Sequence, residues 1–191
     1  MGMSDRYKEI TQCRSCGRTE LEPVLSLGTP SVINFGDKKP LNAPLELVLC
    51  HKCTLLQLKH TVDPEYLFRE YYYKSGVNEQ MKDSLIDIVK KAMRRVNLLP
   101  NDIVVDIGAN DGTLLRAYPT ELLRIGFEPA KNLLDEAMRG GNVIDSAFFS
   151  AKAFDAVNAH RAVKAKVITA ISMFYDLEDP NAFLENVKKV L

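Results

Sequence analysis

The strongest apolar pattern in the chain is a short run near its middle. Four of the five positions from 103 to 107 are apolar. An apolar run without polar alternation is typical of a strand buried on both faces of a parallel sheet. A loop with Gly108 and Gly112 follows, and residues 113–117 have the pattern of the first turns of a helix. Strand, glycine loop and helix in this order predict a nucleotide-type site in a doubly wound α/β fold.

Further apolar runs continue the alternation of strands and helices. We predict strands at 122–127, 142–145 and 166–172, and helices at 130–138, 150–165 and 181–191. Before the strand at 103–107, apolar residues recur at helical spacing and predict an amphipathic helix over 79–97 that packs on the sheet. Towards the N-terminus we predict strands at 24–27, 47–49 and 55–58, and a helix at 65–70 capped by Asp63.

Two acids indicate which ligand the glycine loop binds. Asp106 lies two residues before Gly108, and Glu128 ends the second predicted strand. A carboxylate at position 128 can accept hydrogen bonds from both ribose hydroxyls. An acid at position 106 would repel a pyrophosphate, but it suits the ammonium and sulfonium of S-adenosyl-L-methionine. A bare structural turn or another nucleotide remains an alternative, because a glycine fingerprint alone is a weak signal.

The predicted cofactor site combines the loop, the strand ends and a tyrosine-rich segment at 71–73. We expect Gly108 to allow a sharp turn, Gly112 to let helix and strand pack closely, and the loop N–H groups to face the ligand. Phe148 or Phe149 would stack on adenine, or both would be core. The tyrosines would either pack the modules together or line the methionine end of the cofactor. The candidate cofactor-binding residues are Tyr73, Ser75, Asp106, Gly108, Ala109, Asn110, Gly112, Glu128, Pro129, Phe148 and Ser172.

All four cysteines occur in two pairs with identical spacing. Cys13 and Cys16 form one pair, and Cys50 and Cys53 form the other. Two such turns supply four thiolates, which is the closed tetrahedral set of a structural Zn²⁺ site. Two disulfides or buried free thiols are the alternatives, and a cytosolic chain argues against disulfides. Gly17 supplies the conformational freedom that the first turn needs.

Composition limits the remaining possibilities. The chain has 191 residues, 46% of them hydrophobic, which allows one or two domains with a real core. Lys and Arg total 25, as do Asp and Glu, so no basic footprint for nucleic acid is visible. The first nine residues lack an apolar signal core, and no apolar run is long enough for a membrane span. We therefore expect a cytoplasmic protein, with its oligomeric state left open.

The order of these patterns predicts an α/β chain of three parts. We expect a zinc-binding module at 9–60, a linker helix and tyrosine-rich segment at 61–78, and a cofactor-binding sheet at 79–191. Only four strands of that sheet are predicted, whereas doubly wound sheets usually continue past the point where the strand order reverses. We therefore expect the chain to be part of a longer one.

The motifs resemble those of a known family, the bacterial S-adenosylmethionine-dependent C-methyltransferases with an N-terminal zinc-binding module. The matching pieces are Cys13 to Gly17; Leu27-Gly28 with Pro30 and Asn34; Pro44-Leu45; Cys50 to Cys53; Gln57-Leu58; Tyr71, Tyr73 and Ser75-Gly76; Asp106 to Leu115; Gly126 to Pro129; Phe148-Phe149; and Phe174 to Pro180. Together these pieces extend over nearly the whole chain.

The resemblance implies a class I methyltransferase domain of Rossmann-like, doubly wound topology behind a zinc module. It implies that Asp106 and the glycine loop hold the methionine half of the cofactor, while Glu128 holds the ribose. It also implies a small-molecule methyl acceptor such as a sugar nucleotide. The family's acid–base residues lie in a further domain, so no catalytic residue is assigned in this chain. Tyr175 and Asp176 are expected to touch the substrate. A non-catalytic cofactor-binding or zinc-mediated interaction module is the alternative.

Overall fold

The computed structural model describes residues 6–32, 40–158 and 163–191. Asn34, which forms part of the family resemblance, lies outside these ranges. The chain divides into two compact units. Unit 1 comprises Met1–Arg69 with Leu177–Ala182, and unit 2 comprises Glu70–Asp176 with Phe183–Leu191. The module limits expected from the sequence stay predictions.

Unit 1 is built from short antiparallel strands. Its elements are β1 (Tyr7–Glu9), β2 (Leu21–Ser26), β3 (Glu46–Cys50), β4 (Leu56–Leu58), β5 (His60–Val62) and α1 (Pro64–Phe68). The strands β2, β3 and β4 form one antiparallel sheet, and β1 pairs with β5. Helix α1 begins as predicted, because Asp63 accepts a hydrogen bond from the Glu65 N–H and Pro64 occupies the first position.

Unit 2 is organised around a parallel sheet. Its elements are α2 (Glu79–Arg95), β6 (Ile103–Ile107), α3 (Thr113–Arg116), β7 (Leu123–Phe127), α4 (Leu134–Ala137), β8 (Val143–Asp145), α5 (Ala151–Val157) and β9 (Ala165–Ala170). Helix α6 (Pro180–Val190) has its last two turns in this unit. The strand order is β8–β7–β6–β9, so the order reverses between β6 and β9. The predicted α/β class with a doubly wound, Rossmann-like sheet is confirmed for these four strands.

Helices cover both faces of the central strand. Ile103, Val105 and Ile107 pack towards Phe154 of α5 and Val190 of α6. On the opposite face, Val104 packs with Leu85 and Val89 of α2. All five residues of β6 are buried, as the apolar run predicts. This burial fixes the strand and therefore the position of the loop that leaves its carboxyl end.

Several predicted element limits differ from the structure. The helix expected at 130–138 is a 3₁₀ turn, Lys131–Leu133, followed by the single turn α4. The helix that Ser150 caps ends at Val157 rather than at residue 165, because Ala165 already belongs to β9. Strand β9 ends at Ala170, since the backbone enters the left-handed region at Ser172 (φ 55°).

No helix in the described part of the chain is both long and apolar enough to cross a membrane.

Candidate functional site

The four cysteine side chains converge on one point of unit 1. The Cys13 and Cys53 sulfurs lie 3.6 Å apart, as do those of Cys16 and Cys50. All four sulfurs lie within 4.8 Å of one another. Four thiolates at about 2.3 Å from a tetrahedral Zn²⁺ would be about 3.8 Å apart, so this set fits the ion. A disulfide needs about 2.05 Å between its sulfurs, so the disulfide alternative is wrong.

The two cysteine pairs are held in closely similar backbone turns. The Gly17 N–H donates to the Cys13 carbonyl at 2.9 Å, and the Thr54 N–H donates to the Cys50 carbonyl at 2.9 Å. Gly17 has φ 70°, and Thr54 occupies the equivalent position at φ 60°. Gly17 adopts a left-handed conformation that glycine reaches without strain, in line with the prediction for the first turn. The second turn places a β-branched residue in the same unfavourable region.

Without a cation, some of the four cysteine sulfurs stay protonated, and a bound cation would displace these protons. Burial raises the pKa of Cys13, but hydrogen bonds from the Cys16 N–H and from Gln57 Nε2 outweigh it and lower that pKa to about 6. The Leu55 N–H lowers the pKa of Cys53, but burial and the neighbouring thiols outweigh it and raise that pKa to about 12. Thiols this close share their protons, because all four cannot be charged without a positive ion between them.

The glycine loop after β6 turns sharply, as predicted, but its N–H groups do not face a ligand. Gly108 has φ 71°. The N–H groups of Gly108 and Ala109 both donate to the Phe127 carbonyl, at 2.8 and 3.1 Å. The Asn110 N–H donates to Glu128 Oε2 at 2.7 Å. The predicted cradle of free N–H donors is therefore wrong for this part of the loop.

The rest of the loop is also hydrogen-bonded internally. The Gly112 N–H donates to the Ala109 carbonyl at 2.9 Å, and the Thr113 N–H donates to Asp111 Oδ1 at 3.1 Å. Gly112 has φ 75°, and an added Cβ would lie 2.7 Å from the Ala137 carbonyl oxygen. Gly112 is thus required for close approach to the end of α4, not for the predicted packing of helix on strand.

Asp106 is a buried carboxyl at the carboxyl end of β6. Its side chain accepts a hydrogen bond from Thr169 Oγ1 on β9 at 2.7 Å. Burial raises the pKa of Asp106, the Thr169 hydrogen bond lowers it, and the negative charge of Glu128 raises it, with a result of about 7. Within the described part of the chain, the carboxylate form of Asp106 therefore has no positively charged partner.

Glu128 follows β7 and is also buried. Its Oε2 accepts the Asn110 N–H, and its Oε1 accepts the Ala130 N–H at 2.7 Å. Burial raises the pKa of Glu128, and the two backbone N–H groups partly offset this. Each carboxylate oxygen can accept a further hydrogen bond, so the geometry leaves capacity for hydroxyl donors.

The tyrosine-rich segment lies against the same loop. The Ser75 N–H donates to Asn110 Oδ1, and Asn110 Nδ2 donates to the Tyr73 carbonyl, both at 2.9 Å. Tyr72 and Tyr73 have exposed side chains. The structure thus brings the backbone of Tyr73 and Ser75 into contact with Asn110 of the loop, and the contact of these residues with a cofactor stays a prediction.

The two phenylalanines after β8 have different environments. Phe149 packs edge-on against Phe127 at 5.3 Å and against Phe183 at 5.7 Å between ring centroids. Phe149 therefore packs in the hydrophobic core of unit 2. Phe148 is half-buried, as is Pro129, and Ser172 is exposed beyond the end of β9. Their predicted contacts with a cofactor stay predictions.

Several ionisable groups lie near Tyr71. Burial raises the pKa of Tyr71, and Tyr175, Asp176, Tyr73 and Glu128 raise it further through their negative charge. Burial also raises the pKa of Asp176. The predicted substrate-contacting residues therefore share one polar region with Glu128.

Sequence reasoning missed the polar residues that hold this site together. Thr169 bonds Asp106, and Asp111 accepts the Gly76 N–H at 2.7 Å. Asn132 bonds both backbone groups of Tyr71. Their partners lie tens of residues away along the chain, so no local spacing signals these roles.

This chain is similar to known proteins in its N-terminal segment and over nearly its whole length. A family model described as "Putative zinc binding domain" matches residues 13–68. The C-methyltransferase NovU of Streptomyces niveus is 29% identical over 196 residues, which cover 99% of this chain and 46% of that protein. The chain therefore spans about half the length of the curated relative it matches.

Two solved structures align with part of this chain at low sequence identity. YjhP from E. coli aligns with a TM-score of 0.39 and 14% identity, covering 64% of this chain and 49% of that one. A SAM-dependent methyltransferase from Geobacter sulfurreducens, solved with S-adenosyl-L-homocysteine, aligns with a TM-score of 0.40 and 13% identity, covering 69% and 52%. The resemblance predicted from the motifs is confirmed by the sequence relatives: the N-terminal segment is similar to a zinc-binding domain, and the chain is similar to a C-methyltransferase.

Proposed function

We propose that this chain is the zinc-binding and cofactor-binding part of an S-adenosyl-L-methionine-dependent methyltransferase that acts on carbon of a small molecule, such as a sugar nucleotide. Similarity to a C-methyltransferase over 99% of the chain supports the reaction class. The closed set of four cysteine sulfurs suits a structural Zn²⁺, because no ligand position is left for water.

One observation carries the choice of cofactor. Asp106 and Glu128 are buried at the ends of neighbouring strands, while the N–H groups of Gly108, Ala109 and Asn110 already have partners inside the protein. Such a site offers acceptors and negative charge rather than donors. It therefore suits a cationic ligand with ribose hydroxyls and disfavours the pyrophosphate of a dinucleotide.

Bound S-adenosyl-L-methionine would supply an electrophilic methyl group. In this proposal Asp106 faces the cationic amino-acid end, and Glu128 accepts from the ribose hydroxyls. Tyr73, Ser75, Pro129, Phe148 and Ser172 complete the cofactor surroundings. The methyl acceptor lies on the side of Tyr175 and Asp176. The base that removes the acceptor's proton is not assigned to a residue of this chain.

Calorimetry on the zinc-loaded chain tests the cofactor assignment. We expect S-adenosyl-L-methionine to bind and NAD⁺ not to bind. Asp106→Asn should weaken S-adenosyl-L-methionine binding by at least about tenfold, because a charge-assisted contact is lost. Asp102→Asn is the matched control, since Asp102 accepts the Leu99 N–H at the amino end of the same strand. Absence of both heat and a melting-temperature shift with S-adenosyl-L-methionine, or preferential binding of NAD⁺, would refute the assignment.

A non-catalytic interaction module is the second candidate, supported by the similarity of residues 13–68 to a zinc-binding domain. Transfer of labelled methyl groups from S-adenosyl-L-methionine to keto-sugar nucleotides distinguishes the two. Methyl transfer supports the enzyme. Cofactor binding with no transfer, even when the remaining half of the related protein is supplied, supports the module.

A further inference from the structure

Residues 71–76 form a continuous segment, here called the strap, whose backbone is held by side chains of two separate loops. Asn132 lies in the 3₁₀ turn Lys131–Leu133 that follows β7, and its side chain binds Tyr71, the first residue of the strap. Asn132 Oδ1 accepts the Tyr71 N–H at 3.0 Å, and Asn132 Nδ2 donates to the Tyr71 carbonyl at 2.8 Å. The amide thus pairs with both backbone groups of one residue, as a neighbouring strand would.

The loop after β6 holds the other end of the strap in the same way. Asn110 bonds the Tyr73 carbonyl and the Ser75 N–H, and Asp111 Oδ2 accepts the Gly76 N–H at 2.7 Å. Between these points, Lys74 Nζ lies 2.5 Å from Glu136 Oε1. The strap is therefore fastened along its whole length, and every fastening named here is made by a side chain.

The fit at the Gly76 end is close. A Cβ on Gly76 would lie 2.7 Å from Asp111 Oδ2 and 2.8 Å from Thr113 Oγ1. Asp111 Oδ1 is occupied by Thr113, whose Oγ1 lies 2.6 Å away. Asp111 therefore joins the strap directly to the first residue of α3.

The two loops that fasten the strap are those that carry the proposed cofactor groups. Asp106 is the second-last residue of β6 and lies four residues before Asn110, and Glu128 lies four residues before Asn132. We propose that the strap is a lid on the methyl-donor pocket and that Asn132 is a positioning residue, which acts through the strap and not through contact with the cofactor. This inference rests on the proposed function of the same site.

The contacts that hold the strap are individually weak enough to break and re-form when a lid opens and closes. A hydrogen bond contributes only about 0.5–1.5 kcal/mol net, so losing one changes an opening equilibrium by about two- to tenfold. Asn132 is exposed, as is the phenol of Tyr73. No residue from 71 to 76 belongs to either hydrophobic core cluster of the described residues, so the strap can detach without uncovering the apolar core, as segments that open locally typically do.

Two asparagine variants test the lid. Asn132→Ala removes the fastening of Tyr71. Asn142→Ala is the matched control, because Asn142 is also exposed and accepts the Arg124 N–H at 2.9 Å, near the amino end of β7. Both should fold like the wild type, which melting temperatures will show.

The first measurement is amide hydrogen exchange without ligand. In Asn132→Ala we expect the Tyr71 amide to exchange about tenfold faster, and the amides of Ser75 and Gly76 to exchange faster as well, because the strap opens as one unit. The second measurement is stopped-flow dissociation of S-adenosyl-L-homocysteine. We expect it to be about tenfold faster in Asn132→Ala and unchanged in Asn142→Ala. Tenfold corresponds to about 1.4 kcal/mol.

The outcomes separate the two proposals. If the wild type binds S-adenosyl-L-homocysteine and Asn132→Ala releases it at the wild-type rate, the lid is overturned and the proposed function stands. If only the Tyr71 amide exchanges faster, the strap does not open as one unit and the lid is likewise overturned. If the wild type binds neither S-adenosyl-L-homocysteine nor S-adenosyl-L-methionine, the proposed function fails and the lid fails with it.

Discussion

Replacement of Asp106 by asparagine should stabilise the ligand-free protein at neutral and alkaline pH. Asp106 is buried, has no positively charged partner among residues 6–32, 40–158 and 163–191, and accepts a hydrogen bond from Thr169. Asparagine has nearly the same shape and keeps an oxygen that can accept the Thr169 hydroxyl. The substitution therefore removes the buried charge while largely preserving the packing of β6.

The size of the effect follows from the pKa of Asp106. Burial raises that pKa from 3.8 to about 7. Between these pH values the native state holds a proton that the unfolded chain has lost, so the free energy of unfolding falls as pH rises. About three pKa units at 1.36 kcal/mol each amount to about 4 kcal/mol. The buried amide of asparagine costs about 1 kcal/mol, which leaves a net gain of about 3 kcal/mol above pH 7.

Urea unfolding of the zinc-loaded protein, followed by circular dichroism from pH 4 to pH 8, measures this difference. Near pH 4 Asp106→Asn should be less stable than the wild type by up to about 1 kcal/mol, because the cost of the buried amide then dominates, and the difference should become a gain that grows until pH 7 to 8. Asp102→Asn, at the other end of β6, should show no such growth because Asp102 is not fully buried. A variant that is less stable at pH 8, or a difference that is the same at every pH, would contradict the reasoning.

Three further substitutions test the packing of both units. Gly17→Ala should weaken zinc affinity about fivefold in a chelator competition, because the backbone φ of 70° at this position disfavours a side chain. Gly28→Ala is the control and should leave zinc affinity unchanged, because Gly28 has a similar φ of 73°, also in open space, but does not flank a cysteine. Gly112→Ala should lower the free energy of unfolding by at least about 2 kcal/mol in urea, since its Cβ would lie 2.7 Å from the Ala137 carbonyl oxygen. Phe149→Ala should destabilise the ligand-free protein by about 3 kcal/mol in the same assay, and a change below about 0.5 kcal/mol would contradict its core position.

Elements with a long periodic pattern could be predicted from the sequence. The apolar stripe of α2 places Leu85 and Val89 in the core, and the apolar run of β6 is wholly buried. The pair β1 and β5 could not be predicted. Each of these strands has three residues, too few for a recognisable alternation, and their pairing of Lys8 with Thr61 depends on contacts across more than fifty residues.

The candidate site likewise has parts that local sequence patterns predict and parts that depend on contacts between distant residues. The rule that ligands bind at the carboxyl ends of parallel strands brings Asp106 and Glu128 together correctly, because both follow strands that the apolar pattern reveals. The direction of the loop N–H groups could not be foreseen. It depends on the Phe127 carbonyl and the Glu128 carboxylate, which belong to the next strand and its loop. Asn132 has no local signal at all, since its partner is the backbone of Tyr71.

In the proposed function, Asp106, Glu128 and the strap act on the same ligand. Without ligand, burial opposes the ionised forms of both Asp106 and Glu128, and the two negative charges oppose each other. A phosphate would increase this repulsion, whereas a sulfonium with an ammonium would reverse it. Closing the strap would remove water and thereby strengthen whichever interaction is present. In the proposed function, the destabilisation that Asp106 imposes on the ligand-free protein would also be the source of selectivity for a cationic cofactor, so a substitution of Asp106 that removes the destabilisation should also remove the selectivity.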